Sequence, residues 1–169
     1  RRFNKGNDKP YGAVAGVLHT MLEMIEGGAT HLGVATDHVI ESFRNALWPG
    51  YKTGDGIEPA LWRQFGPLEE ALAAMGVVVW PMTDLEADDG LASAAYLADR
   101  DPRVEKVCIW ANDKDLAQCV RDGRVVQVDR KTGAILRRIE TPSTGPDDVA
   151  VAPDGTVYVA GFTSGKVGR

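Results

Sequence analysis

Apolar positions in the first third of the chain recur at three- and four-residue intervals. Val14, Val17, Leu18, Met21, Leu22 and Ile25 share one helical face, which predicts a helix over Tyr11–Ile25 stopped by Gly27-Gly28. His31 to Thr36 is a short apolar run that ends at Asp37 and predicts a buried strand. Residues 38–56 mix aromatic and basic side chains without a period, broken by Pro49, Gly50, Gly54 and Gly56. Helical spacing returns at Leu61, Phe65, Leu68, Leu72 and Met75, predicting a second helix over Glu58–Met75. Val77–Trp80 predicts a strand broken by Pro81, and Glu86–Leu97 a helix opened by acids. A strand over Val104–Trp110, a short helix over Asp113–Val120 and a strand over Arg124–Val128 follow.

Helices alternating with short apolar strands predict an α/β fold, a parallel sheet covered by helices on both faces. Strands of that kind are buried on both sides and read as continuous apolar runs, as VVVW and VCIW do. Beyond residue 128 the helical period disappears, and Gly, Thr, Ser, Pro and Val dominate residues 133–169. There VAVAP and TVYVAG flank Asp154-Gly155, the signal of a β-hairpin with a tight turn. The expected boundary lies near 128–137, dividing an α/β domain over 1–132 from a β-hairpin tail over 133–169.

With 169 residues the chain can bury one ordinary core. Its 44% apolar and 25% charged residues are those of a globular protein. The net charge of −5 leaves no global footprint for nucleic acid, so any such partner must be met by local basic residues and bound cations. The two cysteines, Cys108 and Cys119, match no zinc or redox spacing and are expected to be reduced, mostly buried thiols in a cytoplasmic setting. The sequence shows no membrane-length apolar run and no signal peptide, and it begins with Arg1 in place of Met.

The acids change the picture more than the composition does. Asp37 follows the first strand, Glu86, Asp88 and Asp89 the second, and Asp113 and Asp115 the third. In an open parallel sheet these strand ends share one edge, where ligands bind. Close carboxylates repel, and divalent cations relieve that repulsion. Mg²⁺ or Mn²⁺ takes oxygen donors, and a two-ion site roughly 4 Å across activates water for phosphoryl displacement. The plainer reading is that Asp and Glu sit in loops and cap helices, a role sufficient for Asp84 and Asp113 taken alone. His19, His31 and His38 have no Ser or Cys partner pattern and are read as structural or surface groups.

Three ordered segments, FRNALWPGYK (43–52), LEADDGLAS (85–93) and NDKDLAQ (112–118), resemble the motifs of the bacterial 5′→3′ exonuclease and flap endonuclease family. That family is PIN-like and includes the nuclease domain of DNA polymerase I. The resemblance covers about 11–135 and implies a DNA phosphodiesterase of replication and repair that uses two Mg²⁺ or Mn²⁺ ions. It implies metal ligands at Glu86, Asp88, Asp89, Asp113 and Asp115, a supporting acid at Asp37, and a phosphate grip at Arg44 and Lys52. The family also places an Asp ligand on a preceding strand, and an acid pair and a helix–hairpin–helix module downstream. These motifs are not in the 169 residues, which gives an expectation of weak, millimolar metal binding and little cleavage by this chain.

GPDDVAVAPDGTVYVAGFTSGKV (145–167) resembles one repeat of an NHL-like or virginiamycin B lyase-like β-propeller. One repeat cannot close a propeller, so the tail is expected to act as a hairpin only. The alternatives to the nuclease are a catalytically silent fragment or fusion product, a remnant of a propeller lyase or binding protein, and a PIN-type ribonuclease.

Overall fold

The computed structural model describes residues 10–111, 113–121, 123–129, 132, 134–137, 146–151, 157–161 and 166–168. Asp8, Asn112 and the Asp154-Gly155 turn lie outside the described residues. The chain forms two compact units, Arg1–Gly90 and Leu91–Arg169.

In the first unit α1 (Gly12–Glu26) leads to β1 (Gly33–Asp37). The short helices α2 (Arg44–Leu47) and α3 (Pro59–Trp62), then α4 (Phe65–Ala74), precede β2 (Val78–Met82). β1 and β2 pair in parallel, from Gly33↔Val78 to Asp37↔Met82. α1 stops where expected: the Gly28 N–H donates to the Ile25 carbonyl at 3.0 Å, and Gly28 takes φ 98°, a value that favours glycine. The N-terminus of α1 is capped from a distance, with Gln64 Oε1 accepting the Ala13 N–H at 3.0 Å. Among the described residues of this unit Val14, Ile40, Leu72 and Val77 are the buried apolar ones, and Leu72 is fully enclosed.

Two expectations are corrected here. The single helix over Glu58–Met75 is two helices, broken at Arg63 and Gln64. Pro67 is the reason: it has no N–H to donate four residues back, and its ring would meet the Arg63 carbonyl. The helix therefore restarts at Phe65, with Pro67 in its first turn, where no such donor is needed. Pro81 does not break its strand: β2 runs through it in register with Thr36. Pro81 is exposed in a two-stranded sheet, so its missing N–H costs no ladder bond.

α5 (Ala87–Arg100) begins in the first unit and continues in the second, three residues beyond the expected Leu97. In the second unit β3 (Val107–Ile109), a 3-10 helix η1 (Asp115–Cys119) and β4 (Val125–Val128) follow. β3 and β4 are parallel, and β5 (Ile135–Arg137) adds antiparallel to β4. Ala95, Ile109, Leu116 and Val125 form the core of this unit, with Leu91, Ala92 and Val107 against it. β4 is buried at every position, as its apolar run requires. β6 (Pro146–Val151) and β7 (Val157–Gly161) pair antiparallel, and β8 (Lys166–Gly168) pairs antiparallel with β7.

The fold is α/β with parallel strand pairs, though among the described residues the four strands up to Val128 lie in two sheets, β1-β2 and β3-β4-β5. Cys108 departs from the expected burial. It is exposed on β3 because strand alternation turns Ile109 into the core, while Cys119 is half-buried and its thiol is pushed up by that burial. Among the described residues no helix is long and apolar enough to cross a membrane.

Candidate metal and phosphate site

β1 delivers Asp37 to its C-terminal end, and β2 delivers the loop that opens α5. These neighbouring ends are tied by the carboxylates themselves. Asp37 Oδ1 accepts the Ala87 N–H at 2.9 Å, capping α5 from the adjacent strand. Asp89 Oδ2 turns back to accept the Glu86 N–H at 3.0 Å. Acids in this first turn also lie at the favourable pole of the helix dipole. Gly90 lets the helix approach closely: a Cβ there would lie 3.0 Å from Met82 Sδ and 3.4 Å from Ala35 Cβ.

Glu86 is buried and accepts from three donors. Ser42 Oγ reaches its Oε1 at 2.8 Å, Arg44 Nη1 reaches the same oxygen at 2.9 Å, and Lys52 Nζ lies 3.4 Å from Oε2. Arg44 also holds Asp89 through both nitrogens, at 2.9 and 3.0 Å, and Lys52 holds Asp37 Oδ2 at 2.6 Å. Three carboxylates thus close on two cations.

The ionisation of the cluster follows from these contacts. The Arg44 hydrogen bonds hold the Asp89 carboxyl below its usual range against the opposing effect of burial. The Arg44 guanidinium is pushed up, chiefly by its bond to Asp89. Burial alone would lower the Lys52 ammonium, yet the bond to Asp37 and the nearby Glu86 charge leave it raised.

Several positioning residues escaped the reading of the sequence. Ser42 is buried beneath Glu86. Asn45 accepts the Ser42 N–H at 3.1 Å and donates from Nδ2 to the Lys52 carbonyl at 2.7 Å, tying both basic residues to one short turn. Gly54 lies against the Trp62 indole, where a Cβ would come within 2.4 Å of the ring, so the loop after Lys52 is fitted to that aromatic face. The signal available was Ser42-x-x-Asn45, polar turn formers spaced to close one turn around Arg44.

Asp113 and Asp115 lie in the second unit and are exposed. Asp113 Oδ1 accepts the Asp115 N–H at 3.0 Å, an Asx turn just ahead of η1, whose N-cap position is Lys114. Gln127, 3% exposed on β4, fixes this loop by donating Nε2 to the carbonyls of Ala111 at 2.8 Å and Asp113 at 2.6 Å. Leu116 anchors η1 in the core. A polar residue within an otherwise apolar strand was the sequence signal for Gln127.

The structure therefore brings Asp37, Glu86, Asp89, Arg44 and Lys52 together, with Asp88 in the same first turn of α5. Arg44 and Lys52, expected to grip phosphate, are bound to the carboxylates. Among the described residues no group of three or more Asp, Glu, His or Cys side chains is arranged to close on a single ion. The donors, all carboxylate and hydroxyl oxygens, are nevertheless the kind that hard divalent cations take, and positive charge already sits among them.

Comparison with known proteins supplies the lineage. The model of the family described as "5'-3' exonuclease, N-terminal resolvase-like domain" matches residues 1–148. A second model, described as "Strictosidine synthase-like, N-terminal", matches 134–169. A 5'-3' exonuclease of Buchnera aphidicola is 29% identical over 125 residues, covering 72% of this chain and 43% of that protein. The DNA polymerase I of Bacillus subtilis is 30% identical over 160 residues, 92% of this chain and 18% of the polymerase. That of Streptococcus pneumoniae is 32% identical over 138 residues, 81% of this chain and 15% of the polymerase. The chain spans less than half the length of these relatives. A family match over most of the chain, joined to strand-end acids on a parallel pair, establishes that this protein belongs to the 5'-3' exonuclease N-terminal, resolvase-like family.

Proposed function

We propose that this chain carries part of the metal-dependent active site of a DNA 5′→3′ exonuclease or flap endonuclease. The observation that carries this reading is the closure of Asp37, Glu86 and Asp89 on Arg44 and Lys52 at the paired ends of β1 and β2. Glu86, Asp88 and Asp89 would hold Mg²⁺ or Mn²⁺, with Asp37 in support. Asp113 and Asp115 are proposed as ligands on the D-K-D resemblance alone. A bound divalent ion would supply an activated water and charge stabilisation for phosphodiester hydrolysis.

The chain's own residues do the rest. Ser42 fixes the Glu86 carboxylate, and Asp89 and Asp37 orient one another through the first turn of α5. Arg44 presents a planar fork suited to a phosphate as well as to Asp89, and Lys52 is a compact point charge beside it. Both balance the carboxylates here, and both would serve a substrate phosphate once other cations take that place. Such contacts position a nucleic acid without reading its sequence.

The test is a labelled 5′-flap DNA incubated with the chain and Mg²⁺ or Mn²⁺, beside an Asp89→Asn variant. At most weak cleavage is expected, and any above the Asp89→Asn background should require the added divalent ion. Cleavage that persists in EDTA, or that Asp89→Asn retains in full, contradicts the proposal.

A further inference from the structure

A cavity of about 420 Å³ opens beside the charged cluster and shares two residues with it, Asp37 and Lys52. Its wall away from them is apolar, formed by Ile57, Phe65 and Leu68. Thr36 and Glu69 supply polar groups, with Thr36 Oγ1 donating to Glu69 Oε1 at 2.6 Å and His38 Nδ1 lying 2.8 Å from Oε2. Phe65 is backed by Trp62, with ring centroids 6.2 Å apart and planes within 5°. Gly54, pressed on Trp62, sets the course of the loop that carries Thr53 and Ile57 along the cavity.

A ligand that suits this space joins an anionic end, held by Lys52, to a flat body with an apolar face and a hydrogen-bonding edge. A nucleotide has that form. A volume of this size is within the range of small-ligand pockets. A base can lie against Phe65 as bases do on aromatic platforms. Glu69 retains lone pairs beyond those used by Thr36 and His38, and a carboxylate is a natural acceptor for an exocyclic amino group.

We propose that this pocket receives the base of the nucleotide whose phosphate is held at Lys52. The inference rests on the nuclease reading above and adds to it a contact with the nucleotide's body beyond its phosphate. Ile57 and Phe65 form the face on which the base lies, and Glu69 with Thr36 forms the edge that holds it in plane.

The experiment measures binding of the full 169-residue chain, in Ca²⁺ to suppress cleavage, to two 5′-phosphorylated flap oligonucleotides. They are identical except that one carries an abasic site at the 5′-terminal nucleotide. Base stacking of the usual strength predicts that the abasic oligonucleotide binds about fivefold more weakly or worse. Ile57→Trp, which fills the cavity, is expected to bind both oligonucleotides equally and at the abasic level, with an unchanged circular dichroism spectrum. The wild-type comparison stands even where that variant fails to fold. Equal binding of both oligonucleotides by the wild-type chain overturns the pocket and leaves the nuclease reading intact. Absence of binding to either overturns both.

Discussion

The two acidic regions following β2 and β3 carry the same promise in the sequence and meet different physical fates. Glu86 and Asp89 are drawn into a half-buried network in which every negative oxygen faces a cation, a hydroxyl or a backbone N–H. Asp113 and Asp115 remain exposed, and their loop is ordered from behind by Gln127 through carbonyl oxygens. The first region ties its carboxylates into the stability of its unit. The second keeps its carboxylates in water and assigns stability to a neighbour with no charge. Altering the acids should therefore disturb folding in the first region, whereas in the second only a change to the supporting amide should do so.

The largest effect should come from Arg44→Ala. It removes the cation shared by Glu86 and Asp89, and an uncompensated buried charge is costly, although partial exposure of these side chains reduces the penalty. A loss of about 2 kcal/mol in chemical denaturation in EDTA is expected, with added Mg²⁺ restoring part of it in the variant and little in the wild type. An Arg44→Ala chain as stable as the wild type in EDTA would break the contrast.

Next comes Gln127→Leu, which leaves the Ala111 and Asp113 carbonyls without their buried donor. A cost of about 1–2 kcal/mol follows from one side of a buried hydrogen-bond pair being lost. By comparison, Asp113→Asn in the same loop should shift stability by less than about 0.5 kcal/mol, because its side chain is exposed and the amide oxygen still accepts the Asp115 N–H. Equal losses for the two variants would show that the loop depends on its acid.

The smallest effect concerns pH. Asp101 is held down to about 2 by its hydrogen bonds to the Arg103 side chain and backbone. A carboxyl depressed on folding contributes stability above its unfolded value, near 3.8, and loses it as pH falls toward 2. Asp101→Asn should thus lower stability slightly and evenly above about pH 4, with the difference shrinking as pH falls toward 2, so that the acid limb is flatter. A difference that grows as pH falls from 4 toward 2 would contradict the assignment.

Much of this was legible from spacing alone. The periodicity of Val14 to Ile25, the apolar runs before Asp37 and around Val79, and the antiparallel hairpin pairing of β6 with β7 all have local causes. The break at Arg63 was present in the sequence as Pro67, but a shared apolar face from Leu61 to Met75 masked it, since periodicity reports the buried side and not backbone continuity. The convergence of Asp37 with Glu86 followed from strand order. The pairing of Arg44 and Lys52 with those acids did not, because it depends on the path of residues 38–56, which have no period to read. Gly54 read only as a break and Gly90 only as part of LEADDGLAS, because the Trp62 ring and the Met82 side chain that press on them are not visible in local spacing.

The central claim is that the carboxylates at the end of β1 and the start of α5 form a divalent cation site. It is tested most directly by titrating Mn²⁺ into the 169-residue chain, followed by electron paramagnetic resonance, beside a Glu86→Gln/Asp89→Asn double variant shown to be folded. Saturable binding in roughly the millimolar range is expected for the wild-type chain, weakened about tenfold or more in the double variant. Indistinguishable titrations of the two proteins would contradict the account.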